Sequence, residues 1–175
     1  MAAKRKTARK SRNPAKKTVR KTAAPRRRIN REKVVAALNE ILELELAGVV
    51  RYLHYSLMIF GHGRLPIIKW MRSESSQGAE HAAQAGEHIT ALGGHPSLKI
   101  GRLLETEKHD INQILSEALE HEQESVACYT RLLSLVAGRD VCLEEYARSL
   151  IHEETIHIQD IEKMLRRPGD LAPVA

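Results

Sequence analysis

The sequence predicts an all-α protein: a four-helix bundle with a long crossover between helices two and three, preceded by a disordered basic tail. Three observations carry this expectation. Apolar residues recur at helical spacing over four long stretches, and Gly, Pro and Asp fall between them. The links after the first and third stretches are short, whereas sixteen residues separate the second from the third. Lys and Arg crowd into residues 1–28, where Asp and Glu are absent.

The N-terminal segment, residues 1–29, comes first. Its first 28 residues, "MAAKRKTARKSRNPAKKTVRKTAAPRRR", hold 13 of the 28 Lys and Arg and none of the 22 Asp and Glu. The remainder therefore has 15 basic and 22 acidic residues, a net of −7 behind an arm of +13. With two prolines and little that is apolar beyond Met1 and Val19, the arm cannot bury enough surface to order itself. Phosphate neutralisation needs charge without fixed geometry. The arm thus predicts non-specific binding of duplex DNA by Lys4, Arg5, Lys6, Arg9, Lys10, Arg12, Lys16, Lys17, Arg20, Lys21, Arg26, Arg27 and Arg28. A nuclear-import address or a solubilising tail is the alternative. Only six residues are aromatic, which argues against stacking on single-stranded bases.

The bundle is expected over residues 30–167. Asn30 is a good N-cap, and Leu38, Ile41, Leu42, Val49, Tyr52, Leu53, Ser56 and Phe60 keep helical spacing after it. "GHGRLP" breaks this first helix, and Pro66 sits where a first-turn proline is welcome. The second helix runs to Gly93-Gly94, and "HPSLKIGRLLETEKHD" leads to a third over about 110–137, ended by Gly138. A fourth, over about 140–166, stops before Pro168-Gly169, leaving 168–175 as a short tail. Short links make antiparallel hairpins. The sixteen-residue link reaches about 50 Å at about 3.3 Å per residue, enough to return along a helix of about 40 Å. A crossover between two hairpins is the expected topology, with a simple up-down bundle as its competitor.

The sequence has no apolar run of about 18 residues and no signal-peptide core, so a cytoplasmic protein with no membrane partner is expected. Cys128 and Cys142 lack C-x-x-C spacing and read as reduced, buried thiols.

Each apolar stripe carries charge near its midpoint. Glu45 interrupts the stripe of helix one, Glu122 that of helix three, and Glu154 with His157 that of helix four. Helix two carries Glu74, His81 and His88. A charge on a core stripe is costly unless it is paired or binds a metal. "HEETIHIQ" is not the zinc-protease HExxH, because Ile156 stands four beyond His152; what remains is Glu-x-x-His on one face. The spacing Glu45, Tyr52, His81 is nearly repeated by Glu122, Tyr129, His157, so the hairpins look like copies. Two carboxylates from separate helices facing Glu-x-x-His helices suggest a carboxylate-bridged di-iron site, and the oxygen-rich set suits iron or manganese. A metal-free Glu–His hydrogen-bond network is the alternative.

From about residue 35 to 166 the chain resembles the bacterioferritin and Dps-like branch of the ferritin-like superfamily. "LNEILELELAGVVRYLHYSL" resembles its first helix, "EHAAQAGEHITALGGHPSL" its second and "HEETIHIQDIEKML" its fourth. The resemblance implies Fe(II) oxidation at a di-iron centre and mineral storage in a hollow shell. It implies that Glu45 and His81 hold one iron, that Glu122 and His157 mark the other half, and that Glu154 bridges. Tyr52 and Tyr129 would donate hydrogen bonds to these ligands or simply fill the core.

Three departures qualify the resemblance. Gly78 stands where the family and the repeat call for Glu, with Glu74 as a possible substitute although about 10.5 Å along the axis from His81. Unequal occupancy of the two metals is the expected result. Ala79 stands where a haem-ligating Met would fall, so no haem is expected. Only "RRPGDLAPVA" follows the bundle in place of a fifth helix, which favours a twelve-subunit Dps-type shell over twenty-four. The combined expectation is a nucleoid-associated, iron-oxidising shell that binds DNA and shields it from oxidants. Its alternatives are an architectural DNA-binding protein with a decayed metal site, and a rubrerythrin-like or manganese redox enzyme without storage.

Overall fold

The computed structural model describes residues 28–104 and 106–172. Among them are four α-helices and no strand: α1 (Arg31–Met58), α2 (Arg64–Ala91), α3 (Ile111–Val136) and α4 (Val141–Leu165). The expected basic tail lies outside the described residues except for Arg28, which is exposed.

Local chemistry sets most of the boundaries. The Asn30 side chain accepts from Lys33 N, Asp110 from Asn112 N and Gln113 N, and Asp140 from Leu143 N. Each satisfies N–H groups that a helix start leaves without acceptors. At the end of α2, Gly93 adopts φ 71°, and Gly94 N then reaches back to Ile89 O. Helix one ends two residues earlier than its apolar spacing suggests: Ile59 turns extended, and Phe60 is exposed beyond it. Leu53 is exposed as well, because α1 turns a narrower face to its neighbours than the sequence pattern implied. Cys128 is buried, but Cys142 is exposed, correcting the expectation of two buried thiols; it stands on the first turn of α4.

Contacts across the helices give the topology. Glu45 meets Tyr129 while Tyr52 meets Glu122, so α1 and α3 run antiparallel. Glu74 faces His157 while His81 faces Glu154, so α2 and α4 do too. The crossover runs beside α1 in the same direction: Ser97 N donates to Asn39 Oδ1 at 2.7 Å and Gly101 N to Glu43 O at 2.7 Å. It then reaches α3, where Thr106 Oγ1 donates to Glu117 Oε1 at 2.7 Å. The competing up-down arrangement is thereby excluded.

The core is in two parts. One apolar cluster gathers Val34, Leu38, Ile41, Ile89, Leu132 and Leu150; the other gathers Tyr55, Met71, Ile114, Leu115 and Ile161. Between them lies a buried polar layer holding Glu45, His81, Glu122 and Glu154.

Candidate metal centre

The layer exists because helix midpoints share one height whichever way each helix runs. α1 supplies Glu45, α2 His81, α3 Glu122, and α4 both Glu154 and His157. The first four are each 5% exposed or less. Two groups of donors form, each compact enough for one ion: Glu45, His81 and Glu154, and then Glu122, Glu154 and His157. Glu154 belongs to both. Its Oε1 lies 3.0 Å from His81 Nδ1, and its Oε2 lies 3.1 Å from His157 Nδ1. Glu45 Oε2 completes the first group, 3.6 Å from His81 Nδ1.

Tyrosine hydroxyls hold the outer carboxylates. Tyr52 donates to Glu122 Oε1, and Tyr129 donates to Glu45 Oε1 at 2.8 Å, joined there by Ser125 Oγ at 3.2 Å. Charge is costly in this layer, and the groups respond in opposite directions. Burial raises the pKa of Glu45 and pushes that of Glu122 well up, because each carboxylate is desolvated beside others. Burial acts the same way on Glu154, but hydrogen bonds from His157 and His81 outweigh it and hold that carboxyl below its usual range. His81 mirrors this: burial pulls it down, while Glu154 and Glu45 raise it to about 10. His157 is raised against its burial by Glu154 and Glu74. The arrangement thus alternates carboxylates with histidines, as a metal-free site must when it assembles more negative charge than it can bury alone.

The ferritin-like domain family matches residues 35–168. The chain belongs to the ferritin-like family. Among solved structures it is similar to a ferritin-like, diiron-carboxylate protein of Bacillus anthracis str. Ames. That pair shares 26% identity and a TM-score of 0.70, with 78% of this chain and 97% of that one covered. The bacterioferritin-related protein of Bacteroides fragilis, described as a dodecameric thioferritin, shares the fold at 19% identity and TM-score 0.73, covering 79% and 87%. Rhodobacter capsulatus bacterioferritin, with a haem iron and a metal-free dinuclear site, does so at 24% and 0.66, covering 77% and 84%. No curated protein matches the chain.

The ferritin-like set in this chain departs from its internal repeat at Gly78, and the structure corrects what fills the gap. Glu74 does not reach toward His81. Its Oε2 lies 3.3 Å from His157 Nδ1, on the Glu122 side of the layer. Four carboxylates and three imidazoles, those of His81, His121 and His157, therefore surround the cavity, with one carboxylate displaced by a helical turn. Gly78 itself packs on α1: a Cβ there would meet Glu45 O and Val49 Cγ2 at 3.4 Å, which is ordinary contact. Of the remaining sequence candidates, His88 stands apart, tilted 50° against the Tyr146 ring with centroids 4.5 Å apart and lowered in pKa by burial.

Several polar groups around the layer escaped the sequence reading. Glu153 Oε1 lies 3.7 Å from His81 Nε2, the ring nitrogen opposite the one facing Glu154, and also takes the Gln77 amide at 2.5 Å. A carboxylate on the far nitrogen of a ligand histidine fixes its tautomer and orientation. On α3, Glu117, His121 and Ser125 form a second buried row beside Glu122. The signal was present, since 114, 117/118, 121, 125 and 128 also keep helical spacing. Arg51 is buried against this row, donating to Tyr55 Oη, Glu117 O and His121 Nδ1. Burial and the Arg51 charge lower His121 to about 4.

Proposed function

We propose that this chain oxidises Fe(II) and stores the product in a shell of its own copies. The observation that carries the reading is Glu154, whose two carboxylate oxygens face two different histidines at 3.0 and 3.1 Å. Glu45 and His81 would hold one ion and Glu122 and His157 the other, with Glu154 between them and Glu74 beside His157. An oxygen-rich set with two imidazoles fits iron, and four carboxylates offset the charge of two divalent ions. Fe(II) is here the substrate. Two Fe(II) give up two electrons, which with two protons take one H2O2 to two waters or one O2 to one H2O2.

The protein's own part is positional. Tyr52 and Tyr129 fix the outer carboxylates, Glu153 orients His81, and the apolar clusters on either side keep bulk water from the layer. Gly78 favours the alternative of a decayed site. Against it, Glu74 keeps the number of carboxylates at four. Ala79 is exposed and offers no ligand atom, so the proposed shell is haem-free.

The dodecameric assembly of the Bacteroides fragilis relative supports a twelve-copy shell. Twelve copies of 19.7 kDa give about 236 kDa by light scattering. The +13 arm supports non-specific DNA binding and association with the nucleoid, where consuming oxidant would shield the duplex. Twelve arms on one particle would act with avidity. The deciding experiment is anaerobic Fe(II) titration followed by O2 or H2O2. Two Fe(II) per chain, oxidised on mixing, is the expected result; a chain that binds none overturns the reading, and the metal content of purified protein separates iron from manganese. Deletion of residues 2–28 should abolish DNA retardation and leave the shell intact. Retardation that survives the deletion at physiological salt overturns the arm assignment.

A further inference from the structure

His121 is 4% exposed and lines the same cavity as Glu45, Glu122 and Glu154. Its Nδ1 lies 3.1 Å from Arg51 Nη1. An arginine has donors and no acceptor, and it stays protonated. Nδ1 must therefore be the bare nitrogen, and a neutral His121 carries its proton on Nε2. Arg51 cannot swing away easily: its Nε and Nη2 donors are taken by Tyr55 Oη at 3.2 and 3.1 Å and by Glu117 O at 2.8 Å. The imidazole is also held edge-on by Tyr52, with ring centroids 6.2 Å apart.

Nε2 makes no hydrogen bond among the described residues. It lies where a side chain on α1 would normally be, since a Cβ at Gly48 would come within 2.5 Å of it. Gly48 thus lets the ring edge pack directly against α1, and Gly48 lines the cavity too. Nε2 is not among the fully enclosed side-chain atoms without a partner, Tyr146 Oη and Arg166 Nε, so it is open to the cavity, where such a donor is satisfied by water or a ligand. The cavity measures about 20 Å³, and one water needs on the order of 10–15 Å³. Only an acceptor of one or two heavy atoms fits.

We propose that His121 is a fixed Nε2–H donor, set by Arg51 and admitted by Gly48, that holds a small oxygen acceptor beside the carboxylate layer. Water occupies it at rest, and O2 or H2O2 takes the same hydrogen bond during turnover. The turnover half rests on the Fe(II) oxidation proposed above; the tautomer does not. In the reaction His121 is a positioning residue for the oxidant, distinct from the groups that hold metal.

The test has two arms on the full-length shell. In metal-free protein labelled with 15N-histidine, His121 should appear as the Nε2–H tautomer with a cross-peak from that proton to bound water. An Nδ1–H or doubly protonated ring overturns the proposal. In kinetics with O2 and with H2O2, His121→Leu should raise the oxidant KM by about three- to tenfold, the loss expected for one hydrogen bond. Anaerobic Fe(II) stoichiometry should not change. His121→Gln, which keeps an N–H at similar reach, should recover most of the loss. An oxidant KM that is unmoved in His121→Leu, or a Gln variant no better than Leu, overturns the donor role. A wild-type chain that binds no Fe(II) overturns the oxidation reading instead, and the tautomer with its water cross-peak then decides for His121.

Discussion

Gly78→Glu should make the metal-free protein less stable and the metal-bound protein more so. The new Cβ has room, since its nearest neighbours are Glu45 O and Val49 Cγ2 at 3.4 Å and Glu45 Oε2 at 3.7 Å. Replacing a mid-helix glycine gains roughly 0.5–1 kcal/mol. Against this, a fifth carboxylate enters a layer whose Glu45 is already raised in pKa by burial. At about 5 Å and an effective dielectric near 20, like-charge repulsion reaches about 3 kcal/mol, less whatever proton uptake relieves. The metal-free variant should thus lose about 1–2 kcal/mol net. With metal the sign reverses, because the Glu45–His81 side has fewer anionic donors than the side holding Glu74, Glu122 and Glu154. The wild type should therefore titrate as one tight and one weak Fe(II), and the variant as two tighter ones. A hundredfold gain at the weak position adds up to about 2.7 kcal/mol under excess metal, enough to outweigh the metal-free loss. Anaerobic Fe(II) titration and thermal melts with and without metal read both effects. Two equally tight ions in the wild type, or melts that shift the same way in both states, would refute the reasoning.

Three further outcomes are expected. Gly48→Ala forces a methyl against the His121 ring and should cost about 1–3 kcal/mol in urea unfolding, most of it relieved in a double-mutant cycle with His121→Ala; additive costs would argue against the contact. Glu153→Ala leaves His81 Nε2 without its carboxylate and should weaken Co(II) binding by about 10–100-fold in competition titrations while leaving the melt nearly unchanged. Burial raises the Glu117 carboxyl, but hydrogen bonds from Thr106, Lys108 and Tyr55 outweigh it and leave its pKa lowered. A depressed folded pKa gives stability that is present above the unfolded value of 4.5 and lost as pH falls through the folded one. Glu117→Gln should accordingly flatten the acid limb of the stability curve between about pH 5 and pH 3, as measured by urea unfolding.

Asn30, Asp110, Asp140 and Gly93 mark helix ends by local chemistry alone, so four elements and their crossover were legible in the sequence. Phe60 misled because apolar spacing continues past a backbone that has already turned. The stripes also pointed to Glu45, His81, Glu122, Glu154 and His157, since a charge on a core face stands out against its neighbours. Glu74 was harder for a geometric reason. Its distance from His81 was measured along one helix, whereas its partner is on another: antiparallel α2 and α4 bring residue 74 to 157 as they bring 81 to 154. His121 was legible only as a member of a second helical row on α3, and Arg51 was invisible for a related reason. It looks like a surface residue until the crossover and α3 close over α1.

The close fit of Gly48 to His121 also constrains how the sequence can drift. With His121 in place, a Cβ at position 48 would meet the ring at 2.5 Å, so glycine is favoured there. If position 121 first becomes small, alanine at 48 is harmless, even favoured by helix propensity. Once that alanine is fixed, histidine returns to 121 only at the cost of that clash. The pair works as a latch: descendants that abandon His121 should accumulate larger residues at 48, and each such gain makes the step costlier to retrace by a single substitution.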